Sequence, residues 1–320
     1  MDRERKRLTG TARRSFAFVL CTLVALVAVA EAGARTDNRR KPVVFVHGLA
    51  LDGSSNCAST WNDVKRKFRD WGHTGGFTTV AYYGGDRDCS HWISHHGSHG
   101  AHYYRYGHQL HGNHQADTDL RHLGYHFAWF LWTHYSSRGK RVDVVAHSMG
   151  GLIARYALAQ TERGHDRFPP YLLVEDVATL GTPHGGARWY TGGCGRGQCI
   201  QMNAGSPFLV WLEQNGWEPD GRGGTDWSTF GSDDDNLVAA DRAAGTARDR
   251  SPAHDYIGSC HKVWYRESAN IEHSDFLHTV SKEHTADVYR FSCRTGRWVR
   301  DDTSHRPVRR ADLAVTFDTF

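Results

Sequence analysis

The sequence predicts an α/β fold, a mostly parallel sheet covered by helices on both faces. Short, unbroken apolar runs such as Val43 to Val46 have the character of strands buried on both sides. Amphipathic segments at helix spacing alternate with these runs. Glycine- and proline-bearing turns separate the two kinds of segment, as in "LGTPHGG". At 320 residues, 39% hydrophobic and 12% aromatic, the chain can bury a sizeable core, and it shows no internal repeat or clear linker.

The elements follow in order. "KPVVFVHG" gives the first strand. "STWNDVKRKFRDWG" is a helix with Ser59 as its cap and Trp61, Val64, Phe68 and Trp71 on one face. "FTTVAYYG" is the next strand, so the order opens β, α, β. Residues 84–114 depart from the pattern. They are rich in Gly, Ser, Asp and His, show no period, and read as one long loop. This loop holds His91, His95, His96, His99, His102, His108, His111 and His114. A metal site is one reading of it, and a polar surface loop is the favoured one, because no H-E-x-x-H or H-x-H spacing fixes a geometry. A helix follows, with Leu120, Leu123, Phe127, Phe130 and Leu131 at helix spacing and Gly139 at its end. "RVDVVAHS" is a strand running into Ser148, and "MGGLIARYALAQTERG" is a helix stopped at Gly164. "LLVEDVATLGTPHGG" is a strand closed by a Gly/Pro turn, "PFLVWLEQNG" a short helix, and "DWSTFGSDDDNLV" and "HKVWYRES" two later strands.

The first 34 residues read as a signal peptide and 35–320 as a single domain. Six Lys/Arg precede the uncharged run from Ser15 to Ala30, which is short for a membrane span of ~20 residues. Small residues then suit cleavage after Ala30, Ala32 or Ala34, and "RRSF" resembles a twin-arginine signal. An exported, extracellular chain is expected, with no integral membrane segment after cleavage. Removing six basic and three acidic residues leaves 33 Lys+Arg against 32 Asp+Glu, a net charge of +1. That balance gives no case for nucleic acid as a partner. The 22 histidines would make the domain strongly cationic as pH falls through about 6.5. Six cysteines lie outside the signal, an even count that reads as disulfides in an exported chain. Nearest-neighbour pairing gives Cys57–Cys89, Cys194–Cys199 and Cys260–Cys293. No C-x-x-C spacing supports zinc or redox chemistry.

The stretch "VVAHSMGGLIARYAL" puts Ser148 in a sharp turn between a strand and a helix, the geometry of a nucleophile elbow. Such a turn needs small neighbours two residues to either side, and Ala146 and Gly150 supply them, with Gly151 allowing close helix packing. The motif is A-H-S-M-G rather than G-x-S-x-G. The alternative is that Ser148 merely caps the helix. The helix start also presents free N–H groups. "FVHGL" ends the first strand at the same sheet edge, where ligands bind in parallel sheets. The backbone N–H groups of Leu49 and Met149 are therefore the candidate oxyanion hole.

"VVFVHGL", "VDVVAHSMGGLIARYAL" and "LGTPHGG" together resemble the secreted bacterial lipases and esterases of the α/β-hydrolase fold. The match is strong over Pro42 to Leu49 and Val142 to Gly186 and weaker in the C-terminal third. The resemblance implies a triad in the chain order Ser, Asp, His. The family's acid commonly precedes one residue and then two apolar ones. Asp235-Asn236-Leu237-Val238 fits that spacing best, with Asp233 next. The implied base is His273, followed by Ser274, Asp275, Phe276 and Leu277; His261 lies at the wrong edge of the sheet. His47, His147 and His184 are expected to be structural, with His147 turned away from the site. The implied activity is hydrolysis of carboxylic esters, with lipids as the implied substrates and no cofactor; calcium, known in some lipases, has no loop pattern here. Residues 187–225 are a candidate lid or cap, or else a packed surface subdomain. An acyltransferase, amidase or thioesterase on the same triad, or a non-catalytic or metal-binding protein using the His-rich loop, are the alternatives.

Overall fold

The computed structural model describes residues 38–95, 115–187, 194–216, 224–245, 261–278, 285–292 and 295–317, together with Pro219, Gly221, Arg222 and Ser259. The signal segment, His96 to His114 and the Cys260–Cys293 pair lie outside these residues. Among them no helix is long and apolar enough to cross a membrane.

Among the described residues nine strands form one sheet: β1 (Val43–Val46), β2 (Phe77–Ala81), β3 (His91–Trp92), β4 (Val142–His147), β5 (Val174–Leu180), β6 (Asp226–Ser232), β7 (His261–Tyr265), β8 (Thr285–Ser292) and β9 (Arg297–His305). Their spatial order is β3-β2-β1-β4-β5-β6-β7-β8-β9. Pairing is parallel from β3 through β7 and antiparallel from β7 to β9. The mostly parallel, doubly covered architecture is therefore as expected, and it is that of the α/β-hydrolase fold.

The period of two along β1 divides the core. Val44 and Val46 face a cluster built with α2 (Leu120–His134) and α3 (Met149–Glu162). Val43 and Phe45 face the other cluster, with α1 (Cys57–Asp70), α7 (Asp275–His278) and α8 (Pro307–Ala314). Trp61 and Phe68 of α1 pack on Phe45 with ring centroids 5.0 and 5.7 Å away. Burying each such side chain stabilises by about 1.5–3 kcal/mol.

Several local expectations need correction. Ser59 does not cap α1: the helix begins at Cys57, and the cap is Asn56, whose side chain accepts from the Ser59 N–H. Cys57 is buried and joined to Cys89, and the helix starts three residues upstream of the start implied by a Ser59 cap. The segment after residue 84 is not simply a loop. Strand β3 pairs with β2 and runs into a 3₁₀ turn, Ile93–His95. The C-terminal hairpin β8–β9 and the helices α4 (Gly197–Met202), α6 (Ala240–Ala244) and α8 were not expected; α5 (Pro207–Asn215) was. Strand β9 is mostly exposed and carries Arg297, Arg300 and Asp302 outward, so its alternation has too few apolar residues to read as a strand.

The sheet edge opposite the site holds a buried charge cluster. The Lys41 Nζ lies 2.7 Å from Asp176, 3.1 Å from Asp143 and 3.6 Å from Glu175. Burial opposes the lysine charge, but the three acids outweigh it and hold its pKa up at about 12. Burial, then the Asp176 charge, drive the Asp143 carboxyl towards its protonated form. Lys41→Met removes the shared cation and leaves three buried acids facing one another. A loss of about 3–5 kcal/mol is expected in urea unfolding; a loss below about 1 kcal/mol would mean the cluster is not held by its ammonium.

His184 is fully buried, with Nε2 3.0 Å from Thr179 Oγ1. Burial, then the Arg155 charge, hold its pKa well below the usual imidazole value. The unfolded chain takes up this proton below about pH 6.5 while the folded one does not, so stability falls as pH drops through that window. His184 alone contributes a slope of about 1.4 kcal/mol per pH unit there. Urea titrations at pH 7, 6 and 5 should give a steeper decline for wild type than for His184→Asn, and equal slopes would refute the assignment.

Candidate active site

The C-terminal ends of β1, β4, β6 and β7 converge on one edge, and each sends a loop into the same cavity. Ser148 follows the last residue of β4 and precedes α3, with φ 54° and ψ −130°. A non-glycine residue in this region is strained, and such strain concentrates at functional sites. Ser148 N–H donates to Leu180 O at 2.8 Å, and Ser148 O accepts from Thr182 Oγ1 at 2.8 Å. The Ser148 side chain makes no cap hydrogen bond to α3. Its Oγ lies instead 2.8 Å from His273 Nε2.

His273 sits in the loop between β7 and α7, and its Nδ1 lies 2.8 Å from Asp235 Oδ2. Asp235 follows β6 and is 1% exposed. Its other oxygen, Oδ1, accepts from the N–H groups of Leu237 and Val238 at 2.9 and 2.8 Å, which fixes the carboxylate plane. With Nδ1–H donating to Asp235, Nε2 is left to accept from the Ser148 hydroxyl. Asp233, the other candidate acid, points elsewhere: its Oδ1 accepts from Trp264 Nε1 at 2.7 Å. Three residues from separate loops thus form one hydrogen-bonded chain, Ser148–His273–Asp235.

The turn after β1 closes on the serine. A Cβ on Gly48 would stand 2.8 Å from Ser148 Cβ, so only glycine allows this approach. One on Gly150 would stand 2.5 Å from the carbonyl oxygens of both Val46 and His47. Leu49 lines the cavity beside Ser148, and Met149 is the first residue of α3. The turn is held by groups that sequence reading missed. Tyr82 Oη donates to His47 O and Gly48 O at 2.6 and 2.8 Å. The buried Asp86 accepts from the N–H groups of Ser55, Tyr82 and Tyr83 and contacts His47 Nε2 at 3.1 Å. Asp86 lay in the stretch read as featureless loop. The available signal was an acid two residues past the strand "FTTVAYYG", the first of the pair Asp86 and Asp88.

The cavity has a volume of about 600 Å³. Ser55, Ser59 and Thr60 line it from the start of α1. Apolar side chains, among them Met202, Leu237, Val238 and Leu277, line it elsewhere. Met202 belongs to α4, which is tied by Cys194–Cys199 and by Gln198, whose Oε1 accepts from Tyr83 Oη at 2.6 Å. Helix α5 packs instead on α3, with Trp211 and Phe208 5.1 and 5.7 Å from Tyr156. His147 does not turn away from the site as expected; it lines the cavity and contacts the His273 loop. Among the described residues no group of three or more His, Cys, Asp or Glu is arranged to hold a metal ion.

Residues 111–209 match the family model described as "Putative serine esterase (DUF676)". The matched stretch includes Ser148 and ends before Asp235 and His273. No curated protein sequence matches the chain. Similar solved structures include the mature lipase BlEst2 of Bacillus licheniformis, at 20% identity and TM-score 0.42, over 66% of this chain and 81% of that one. Aspergillus fumigatus lipase B is 14% identical with TM-score 0.42, over 64% of this chain and 40% of that one. A Listeria innocua gene product is 10% identical with TM-score 0.45, over 88% of this chain and 95% of that one.

Proposed function

We propose that the protein is an exported serine hydrolase that cleaves carboxylic esters, with lipid esters as its substrate class. The family match supports ester hydrolysis. The observation that carries the finer reading is the pair of 2.8 Å contacts linking Ser148 Oγ, the His273 ring and Asp235. Export rests on the basic and then apolar N-terminal sequence, and the lipid preference on the apolar part of the cavity lining.

In this reading His273 Nε2 takes the Ser148 proton as Oγ attacks the ester carbonyl carbon. Asp235 keeps the proton on Nδ1 and stabilises the imidazolium that forms. The N–H groups of Leu49 and Met149 bind the developing oxyanion, and each such donor typically contributes ~10²–10³ in rate. The intermediate collapses, the alkoxide leaves with the proton from His273, and an acyl-Ser148 ester remains. Water, deprotonated by His273, then releases the acid and restores the serine. No step requires a cofactor.

The experiment is hydrolysis of nitrophenyl esters of increasing acyl length, together with labelling of Ser148 by a fluorophosphonate. Turnover with labelling at Ser148 supports the reading, and a rate maximum at longer chains supports a lipid substrate. A folded protein that neither hydrolyses any ester nor is labelled would overturn it.

A further inference from the structure

His147, the residue immediately before Ser148, makes a connection across the site that the proposed mechanism does not use. Its Nε2–H donates to the backbone carbonyl of His273 at 2.9 Å, a contact spanning 126 residues of sequence. Its ring centroid lies 5.0 Å from that of His273, with the planes tilted by 44°. On the side of the β1 turn, a Cβ built on Gly48 would stand 3.5 Å from His147 Nδ1. This side chain therefore ties the end of β4 to the loop that carries His273.

We infer that His147 is a positioning residue, holding the His273 loop to the end of β4 so that the serine and its base share one rigid anchor. The inference rests on the roles proposed for Ser148 and His273. Asp235 fixes the His273 ring at Nδ1 only. The backbone around His273 is a short irregular connection between Asn270, at φ 48°, and the four-residue α7. Its local bonds, Glu272 N–H to Asp275 Oδ2 and Leu277 N–H to Ser274 O, tie the loop to itself and not to the serine. The bond from His147 sets the distance between loop and nucleophile, and a displacement of about 1 Å at a reacting pair can cost on the order of 10² in rate.

The chemistry of the ring suits this task. His147 is partly exposed at the cavity wall. Burial of its ring, then the neighbouring His273, press its pKa down to about 3. It is therefore neutral at physiological pH. Donation from Nε2 leaves Nδ1 as the unprotonated nitrogen beside Gly48. A neutral donor holds the carbonyl without opposing the positive charge that His273 gains on taking the serine proton. Lysine or arginine would supply a donor but add a cation beside that charge.

The test compares His147→Leu, which removes the donor, with His147→Gln, whose side-chain N–H can reach the same carbonyl. For His147→Leu, kcat on a short nitrophenyl ester is expected to fall 10- to 100-fold, with KM within about twofold and an unshifted melting temperature. His147→Gln is expected to recover to within about threefold of wild type. The low-field proton resonance of the His273–Asp235 contact should broaden or move in His147→Leu and return in His147→Gln, whether or not esters are turned over. An unaltered resonance in His147→Leu, a raised KM with unchanged kcat, or no recovery in His147→Gln would overturn the positioning role. If the wild type hydrolyses no ester, a resonance that moves in His147→Leu and returns in His147→Gln would support the positioning role and count against ester hydrolysis alone.

Discussion

Replacing Ser148 with alanine is expected to lower ester hydrolysis on the order of 10⁵- to 10⁶-fold while leaving the fold intact. The size of the loss follows from what remains. His273 would have no hydroxyl to deprotonate at 2.8 Å, and no acyl-enzyme could form. Background catalysis over water would come only from binding and from the N–H groups of Leu49 and Met149. The backbone should tolerate the change, because the Ser148 side chain caps nothing in α3 and its N–H and carbonyl bonds to Leu180 and Thr182 are made by the main chain. Melting temperature should move little, which separates a chemical loss from unfolding. Equal activity in Ser148→Ala and wild type would remove the serine from the mechanism.

The two aspartates near the end of β6 should separate almost as widely. Asp235→Asn is expected to cost about 10⁴ in kcat. The amide can still sit beside His273 Nδ1, but it can present an N–H where a carboxylate accepted one, and this favours the tautomer that puts the proton on Nε2. Nε2 could then no longer accept from Ser148. The imidazolium formed during attack would also lose its counter-charge. Asp233→Asn should leave kcat within about threefold, because its Oδ1 serves the indole N–H of Trp264, to which an asparagine oxygen can also be offered. Steady-state kinetics on one ester with both variants reads the contrast. A larger loss at Asp233 than at Asp235 would reverse the assignment of the acid.

The contrast between these neighbours shows what the sequence could and could not display. Asp235 was legible through the family resemblance, which implies an acid followed by one residue and then two apolar ones, as in Asp235-Asn236-Leu237-Val238; the N–H groups of Leu237 and Val238 do hold its carboxylate. The strands β1, β4 and β5 were legible because they are buried on both faces: β1 is an unbroken apolar run, and β4 and β5 are mostly apolar beyond Asp143, Glu175 and Asp176 near their starts. What could not be read was set by partners distant in sequence. The start of α1 depends on the Cys57–Cys89 link and on Asn56 as its cap, not on the more conspicuous serine. Asp86 has meaning only through Tyr82, Tyr83, Ser55 and His47; the first two reach it through a turn, and Ser55 and His47 only in the fold. The orientation of His147 depends on a carbonyl 126 residues away, so a general expectation about elbows gave the wrong direction. The hairpin β8–β9 is a strand pair by virtue of its neighbour β7, and its own residues alternate too weakly to announce it.

That hairpin also governs how copies of the molecule can meet. Among the described residues the sheet ends at β3 on one side and β9 on the other, and such a margin could be extended by a strand from another molecule. At one margin, among the described residues, β3 consists of His91 and Trp92, a short template for a foreign strand. At the other, β9 is nine residues long, but Arg297, Arg300 and Asp302 stand exposed along it. An incoming strand would have to strip water from those charges before its backbone bonds could form, which makes sheet-to-sheet growth through this margin unfavourable.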